Sequence, residues 1–137
     1  MPFSQYLNDA TLNWFRGSSF AAAPATNVYL SLHSSEPGAL GANGDVTTAV
    51  AGTRTTVPIT VFGAPSTPTG GGRRIANNST VTVTASATGA ATVTYFGLWD
   101  AASAGNFLCY GILAQPVSVL TGDLLRFLAG DLAIRGI

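Results

Sequence analysis

From Asn27 onward, apolar side chains recur at every second residue in short runs, and Gly, Pro, Asn or Asp breaks each run. A period of two puts alternate side chains on opposite faces of an extended strand, and the breakers supply turns. In "NVYLSLH", Val28, Leu30 and Leu32 share one face, and Tyr29, Ser31 and His33 share the other. His33 is expected on the outer face of that strand or at its end. "RTTVPITVF" has strand composition, but Pro58 cannot donate to a ladder, which demotes the stretch to an edge strand or a bulge. "STVTVTAS", "ATVTYFGLW" and "NFLCYGIL" follow, and the chain closes with two or three short strands separated by Gly-Asp turns. About eight short strands at intervals near ten residues predict an all-β protein, an antiparallel β-sandwich of jelly-roll-like form. Strands and helices do not alternate, so a parallel α/β fold is excluded.

Only the start of the chain departs from this period. Phe3, Leu7, Ala10 and Trp14 recur at helical spacing, Ser4 is a natural cap, and Gly17 is a natural stop. A helix this short is marginal alone and must dock its apolar stripe on something. The organisation that follows is a helical arm over residues 1–17 and a single β-sandwich domain over 18–137. Phe3, Leu7 and Trp14 are the arm's candidates for contact with a neighbour.

Composition sharpens the picture. A chain of 137 residues is long enough for one domain with a sizeable core. Its single cysteine makes an intrachain disulfide impossible, so packing must hold the fold. Charged residues make up 9%, against about 25% in an ordinary soluble domain, and mean hydropathy is +0.35. No apolar stretch approaches the ~20 residues of a membrane span. Asp9 sits where an export signal would be apolar, so neither export by that route nor embedding in a membrane is expected. A net-neutral, weakly charged surface is poorly suited to a free monomer, which implies that much of it is covered in the working state. All the basic residues are arginine, which suits either a desolvated interface or a GC-rich coding sequence.

The residues needed for catalysis are scarce. One histidine and one cysteine cannot build a zinc site of the usual kind within one chain. A serine or cysteine nucleophile would need His33 as its base, there is no GxSxG elbow, and Cys109 falls within a strand pattern as a small apolar residue. Asp45, Asp123 and Asp131 each follow a glycine, and Asp100 opens the "DAASAGN" turn, where aspartate commonly bonds the backbone. No catalytic, cofactor-binding or metal-binding residue is assigned, and the chain is not expected to be an enzyme. "TGGGRR" lacks the P-loop lysine and the helix that follows it, and two arginines are too few to argue direct binding of nucleic acid. Arg73 and Arg74 are instead candidates to meet an acidic partner surface. The sequons at Asn77 and Asn78 are read as chance.

The segment "VTYFGLWDAASAGNFLCYGILAQPVSVLTGDLLRFLAGDLAI" resembles a family of short tailed-bacteriophage virion proteins. That family runs an aromatic-Gly-apolar-aromatic-Asp-Ala segment, a Gly-Asn turn, a Tyr-Gly strand end and paired Gly-Asp turns. "YLND", "VYLSLHSSEP" and "VFGAPS" match its order too. The resemblance implies a non-enzymatic virion component, since members are described both as tail-fibre-like proteins and as capsid cement or decoration proteins. The chain has no repetitive shaft, and a compact, poorly charged domain suits a clamp over subunit joints. The expectation is therefore a cement protein on the outer surface of the capsid, bridging the phage major capsid protein and itself forming a homodimer or homotrimer. The alternative is a tail-fibre or tail-tip component that binds the host surface, with Tyr29, Tyr95 or Trp99 stacking on a saccharide. Tyr95 and Trp99 are the interface candidates on the β-domain.

Overall fold

The structure is a computed structural model that describes residues 3–20, 23–24 and 26–136. Helix α1 (Gln5–Phe15) is followed by strand β1 (Asn27–His33), the short helix α2 (Thr47–Ala51) and strand β2 (Thr55–Pro58). A single 3-10 turn (Ile59–Val61) leads to β3 (Arg74–Ala76), β4 (Val81–Thr82), β5 (Ala91–Trp99), β6 (Phe107–Val119), β7 (Arg126–Phe127) and β8 (Ala133–Arg135). All strand pairings are antiparallel. The main sheet has the order β2-β1-β5-β6, and two ribbons, β3-β8 and β4-β7, stand apart from it. The molecule is thus all-β and sandwich-like, with α1 as its one long helix.

The core forms where the main sheet faces the ribbons and α2. Leu30 and Leu32 of β1, Phe96 and Leu98 of β5, and Cys109 of β6 meet Val50, Val81, Phe127, Leu132 and Ile134. Burying a Leu, Ile or Phe side chain of this kind contributes about 1.5–3 kcal/mol. Gly111 marks the closest approach of the layers. A Cβ there would lie 2.5 Å from both the Ala133 carbonyl oxygen and the Phe96 ring.

Pro58 acts as its chemistry requires, ending the edge strand β2 before the 3-10 turn. Three details differ from what the sequence pattern alone predicts. The β5–β6 register shifts between Val93 and Tyr95, so Val93, Phe96 and Leu98 all join one core although a regular strand would turn Val93 away from the other two. Strand β6 also runs on through Pro116 to Val119, well past the "NFLCYGIL" run. In "STVTVTAS" only Val81 and Thr82 are paired, although Val81 and Val83 are buried and Thr82 and Thr84 exposed as alternation requires. The five-residue helix α2 had no counterpart in the sequence reading. It forms because Asp45 Oδ1 accepts from the Thr47 N–H at 2.9 Å and from its hydroxyl at 2.6 Å.

Helix α1 starts and stops as its sequence indicates. Ser4 Oγ accepts from the Leu7 N–H at 3.1 Å. At the other end, Gly17 at φ +90° allows the Gly17 N–H to reach the Trp14 carbonyl and the Ser18 N–H to reach that of Asn13, a Schellman closure. None of the helix's own residues is buried. Among the described residues, no helix is long and apolar enough to cross a membrane.

Candidate functional site

The face of the main sheet turned away from the core carries the polar and aromatic residues. Tyr29, Ser31 and His33 of β1 lie opposite Trp99, Gly97 and Tyr95 of β5, and Gly97 and Tyr95 lie opposite Tyr110 and Ile112 of β6. The loop after β1 folds back over this face. His33 ends β1 on this face, as its alternation predicts, but it is completely buried there beneath the loop. The physical reason is a saturated hydrogen-bond chain. The Asn43 carbonyl can only accept, so His33 Nδ1 donates to it at 2.7 Å, leaving Nε2 to accept from the Ser31 hydroxyl at 2.8 Å. Ser31 Oγ in turn accepts from Trp99 Nε1 at 2.9 Å. A Ser–His contact of this length would suit a nucleophile and its base, but both side chains are sealed from solvent. A Cβ on Gly97 would lie 2.7 Å from Ser31 Oγ and 2.7 Å from the Phe107 ring, so no substrate atom fits between them.

Trp99 is also spoken for on its faces. The Arg54 guanidinium sits 3.7 Å from its ring centroid, and the Phe107 ring lies 5.0 Å away. Arg54 further donates to the carbonyls of Ala101 and Ala104 at 3.0 and 2.8 Å, pinning the turn between β5 and β6. In that turn Asp100 accepts from the Asn106 backbone at 2.7 Å and from its side chain at 2.8 Å. Cys109 lies in the core, where burial pushes its thiol pKa up to about 12. Acid and thiol therefore serve the hairpin, and neither faces a common site.

One open concavity of the β-domain is a cleft of about 470 Å³ where β6 meets β8. Glu36, Tyr95 and Tyr110 line one side, and Arg74, Asp131 and Arg135 the other. The Tyr95 and Tyr110 rings meet edge-on at 6.2 Å, and the Tyr110 hydroxyl donates to Glu36 at 2.5 Å. Burial, then the hydrogen bond and charge of Glu36, push the Tyr110 pKa up to about 12, so the phenol keeps its proton. Sequence reasoning found Arg74 and Tyr95 but missed Glu36, Tyr110, Asp131 and Arg135. Only a register between β3 and β8 could have linked residues 74 and 135.

The arm divides into two parts. Phe3 precedes the helix, forms an isolated bridge with Cys109 and packs against the core; the Ser4 N–H donates to the Leu108 carbonyl at 2.9 Å. Leu7 lines an apolar groove of about 380 Å³ with Tyr6, Phe20, Phe62 and Leu108. Beyond this root, Leu12, Trp14 and Phe15 are 63, 54 and 75% exposed, and the two aromatic rings pack edge-on at 5.1 Å. Arg73 is an exposed loop residue whose guanidinium donates to Thr67 and to the Pro65 carbonyl. Arg74 starts β3 and lines both the cleft and, together with Arg73, a small apolar groove beside Phe3 and Ile134. The sequon residue Asn77 is buried, its amide bonded to Ser79, Leu128, Gly130 and Leu132.

A family model described as Podophage GP4 fiber I protein gp80 matches residues 2–135. The chain belongs to this family. It is therefore a tailed-phage virion protein, as the ordered motifs of its C-terminal half imply. No curated protein matches the chain. The fiber family's match takes in both the arm from residue 2 and the β-domain.

Proposed function

We propose that this protein is a non-enzymatic structural component of a phage fiber, attached through its helical arm and displaying its β-domain. The observation that carries this reading is the match of a fiber-protein family across residues 2–135. It shifts the weight from the capsid-cement expectation to the fiber alternative. Absence of a repetitive shaft argued for cement, but a compact domain equally suits a joint or an end of a fiber built from several chains.

The arm supplies the means of attachment. Phe3, Ser4 and Leu7 root it on β6, and Leu12, Trp14 and Phe15 project an apolar tip. Clustered aromatics of this kind are common anchors in protein interfaces. The protein works as a homodimer or homotrimer, consistent with its low surface charge, and needs neither cofactor nor nucleic acid. The reading as a non-enzyme is supported by the sealed Ser31–His33 pair and the buried, protonated Cys109.

Gold-labelled antibodies against the β-domain, applied to intact virions, test the assignment. Label along the fibers is expected. Label spread over the head would overturn it in favour of cement.

A further inference from the structure

One wall of the cleft between β6 and β8 carries two arginines beside a single aspartate, Asp131. Arg74 and Arg135 are register partners in the β3–β8 ribbon, which places their side chains on the same face at directly opposed positions. Like charges so placed repel. Arg74 is half-buried, and its Nε is buried with no hydrogen-bond partner, so that one N–H has lost solvent without gaining an acceptor. Arg54 and Arg73, by contrast, donate to carbonyl or hydroxyl oxygens of the chain itself. An oxyanion between the two arginines would offset their repulsion and give the Arg74 Nε–H an acceptor. Planar guanidinium donors match carboxylate and phosphate groups in particular.

The remaining lining has a different chemistry. Glu36 commits one oxygen to Tyr110, and Asp131 commits one to the Leu128 N–H at 2.8 Å. Each carboxylate keeps a second oxygen able to accept from a hydroxyl group. Tyr95 is half-buried beside them and offers ring surface. Two carboxylates disfavour a polyanion, and two arginines leave a neutral ligand poorly matched. A volume of about 470 Å³ falls within the range of small-ligand pockets.

We propose that this cleft binds an acidic sugar unit, its anionic group on Arg74 and Arg135 and its hydroxyls on Glu36 and Asp131, with the ring against Tyr95. The inference goes beyond the fiber assignment. Binding is measured on the purified chain, so its failure leaves the location on the virion untouched, and the reverse holds too.

The test is titration of the ¹⁵N-labelled full chain, at constant ionic strength, with glucuronic acid, glucose 6-phosphate, glucose and inorganic phosphate. The two acidic sugars are expected to shift the amides of Tyr95, Ile112 and Ala133, and glucose to bind about tenfold more weakly or worse. A preference between the two acids tells whether carboxylate or phosphate is the better group. Inorganic phosphate binding as tightly as either acidic sugar would overturn the sugar assignment, and no shift with any probe would overturn the site. Arg135→Gln keeps the ribbon and removes the opposed charge, so its melting temperature should hold or rise while affinity for the acidic sugar falls about tenfold. Arg74→Gln should lose a similar factor. Undiminished binding in a folded Arg135→Gln protein would contradict the proposal even if the Arg74 variant failed to fold.

Discussion

Ser31 shows how one hydroxyl can hold a sheet face together. It donates to His33 and accepts from Trp99, so Ser31→Ala strands two partners at once, the buried His33 and the half-buried Trp99. Each stranded group costs about 1–3 kcal/mol, and a clear drop in the denaturation midpoint is expected by urea titration. A midpoint unchanged from the parent protein would mean that the network contributes little. Cys109 and Tyr110 make a second prediction. Both groups hold their protons more tightly folded than unfolded, from ordinary values of 9.0 and 10.0 up to about 12. Their contribution is complete below about pH 9 and is lost as pH climbs toward about 12. Stability should therefore fall over that alkaline window, and the Cys109 thiol should resist alkylation at pH 8 until denaturant is added. Rapid alkylation of the native protein would contradict its burial.

At the level of elements, sequence reading worked where local chemistry decides the outcome. Ser4, Gly17 and Pro58 each carry their own start or stop signal, and the structure places each at a helix cap or strand end. The Gly-Asp turns within "TGDLLRF" and "AGDLAIR" are likewise local. Asp123 and Asp131 each accept from the N–H three residues back, and Gly122 and Gly130 take φ near +90°. What could not be read depends on distant partners. His33 carries no local signal that a loop ten residues on would bury it. The register shift after Val93 depends on how β6 pairs, and the cleft depends on β8 meeting both β3 and β6. The cap of α1 is testable at this scale. Ser4→Ala should cost about 1 kcal/mol, read as a loss of stability with little change in the sheet's spectroscopic signature. A matching loss in a variant with α1 deleted would show that the cap acts only through the helix.

For the molecule as a whole, the low charge content and the arm's apolar tip belong together. A chain with 9% charged residues that leaves Leu12, Trp14 and Phe15 exposed fits the proposal that neighbouring subunits cover this tip. Trp14→Asp should leave the monomer's thermal stability nearly unchanged, because the side chain is 54% exposed and packs edge-on with the likewise exposed Phe15. It should reduce incorporation into particles, measured by complementation and quantitation of the chain in purified virions. Equal losses of stability and incorporation would instead make the tip part of the domain's own core. The central claim is a fiber component that attaches by its arm. A cryo-electron microscopy reconstruction of the virion tests it most directly. The account predicts density for residues 3–136 within a fiber, with Trp14 and Phe15 buried against an adjacent subunit. Density over the capsid lattice, or an arm left pointing into solvent, would contradict it.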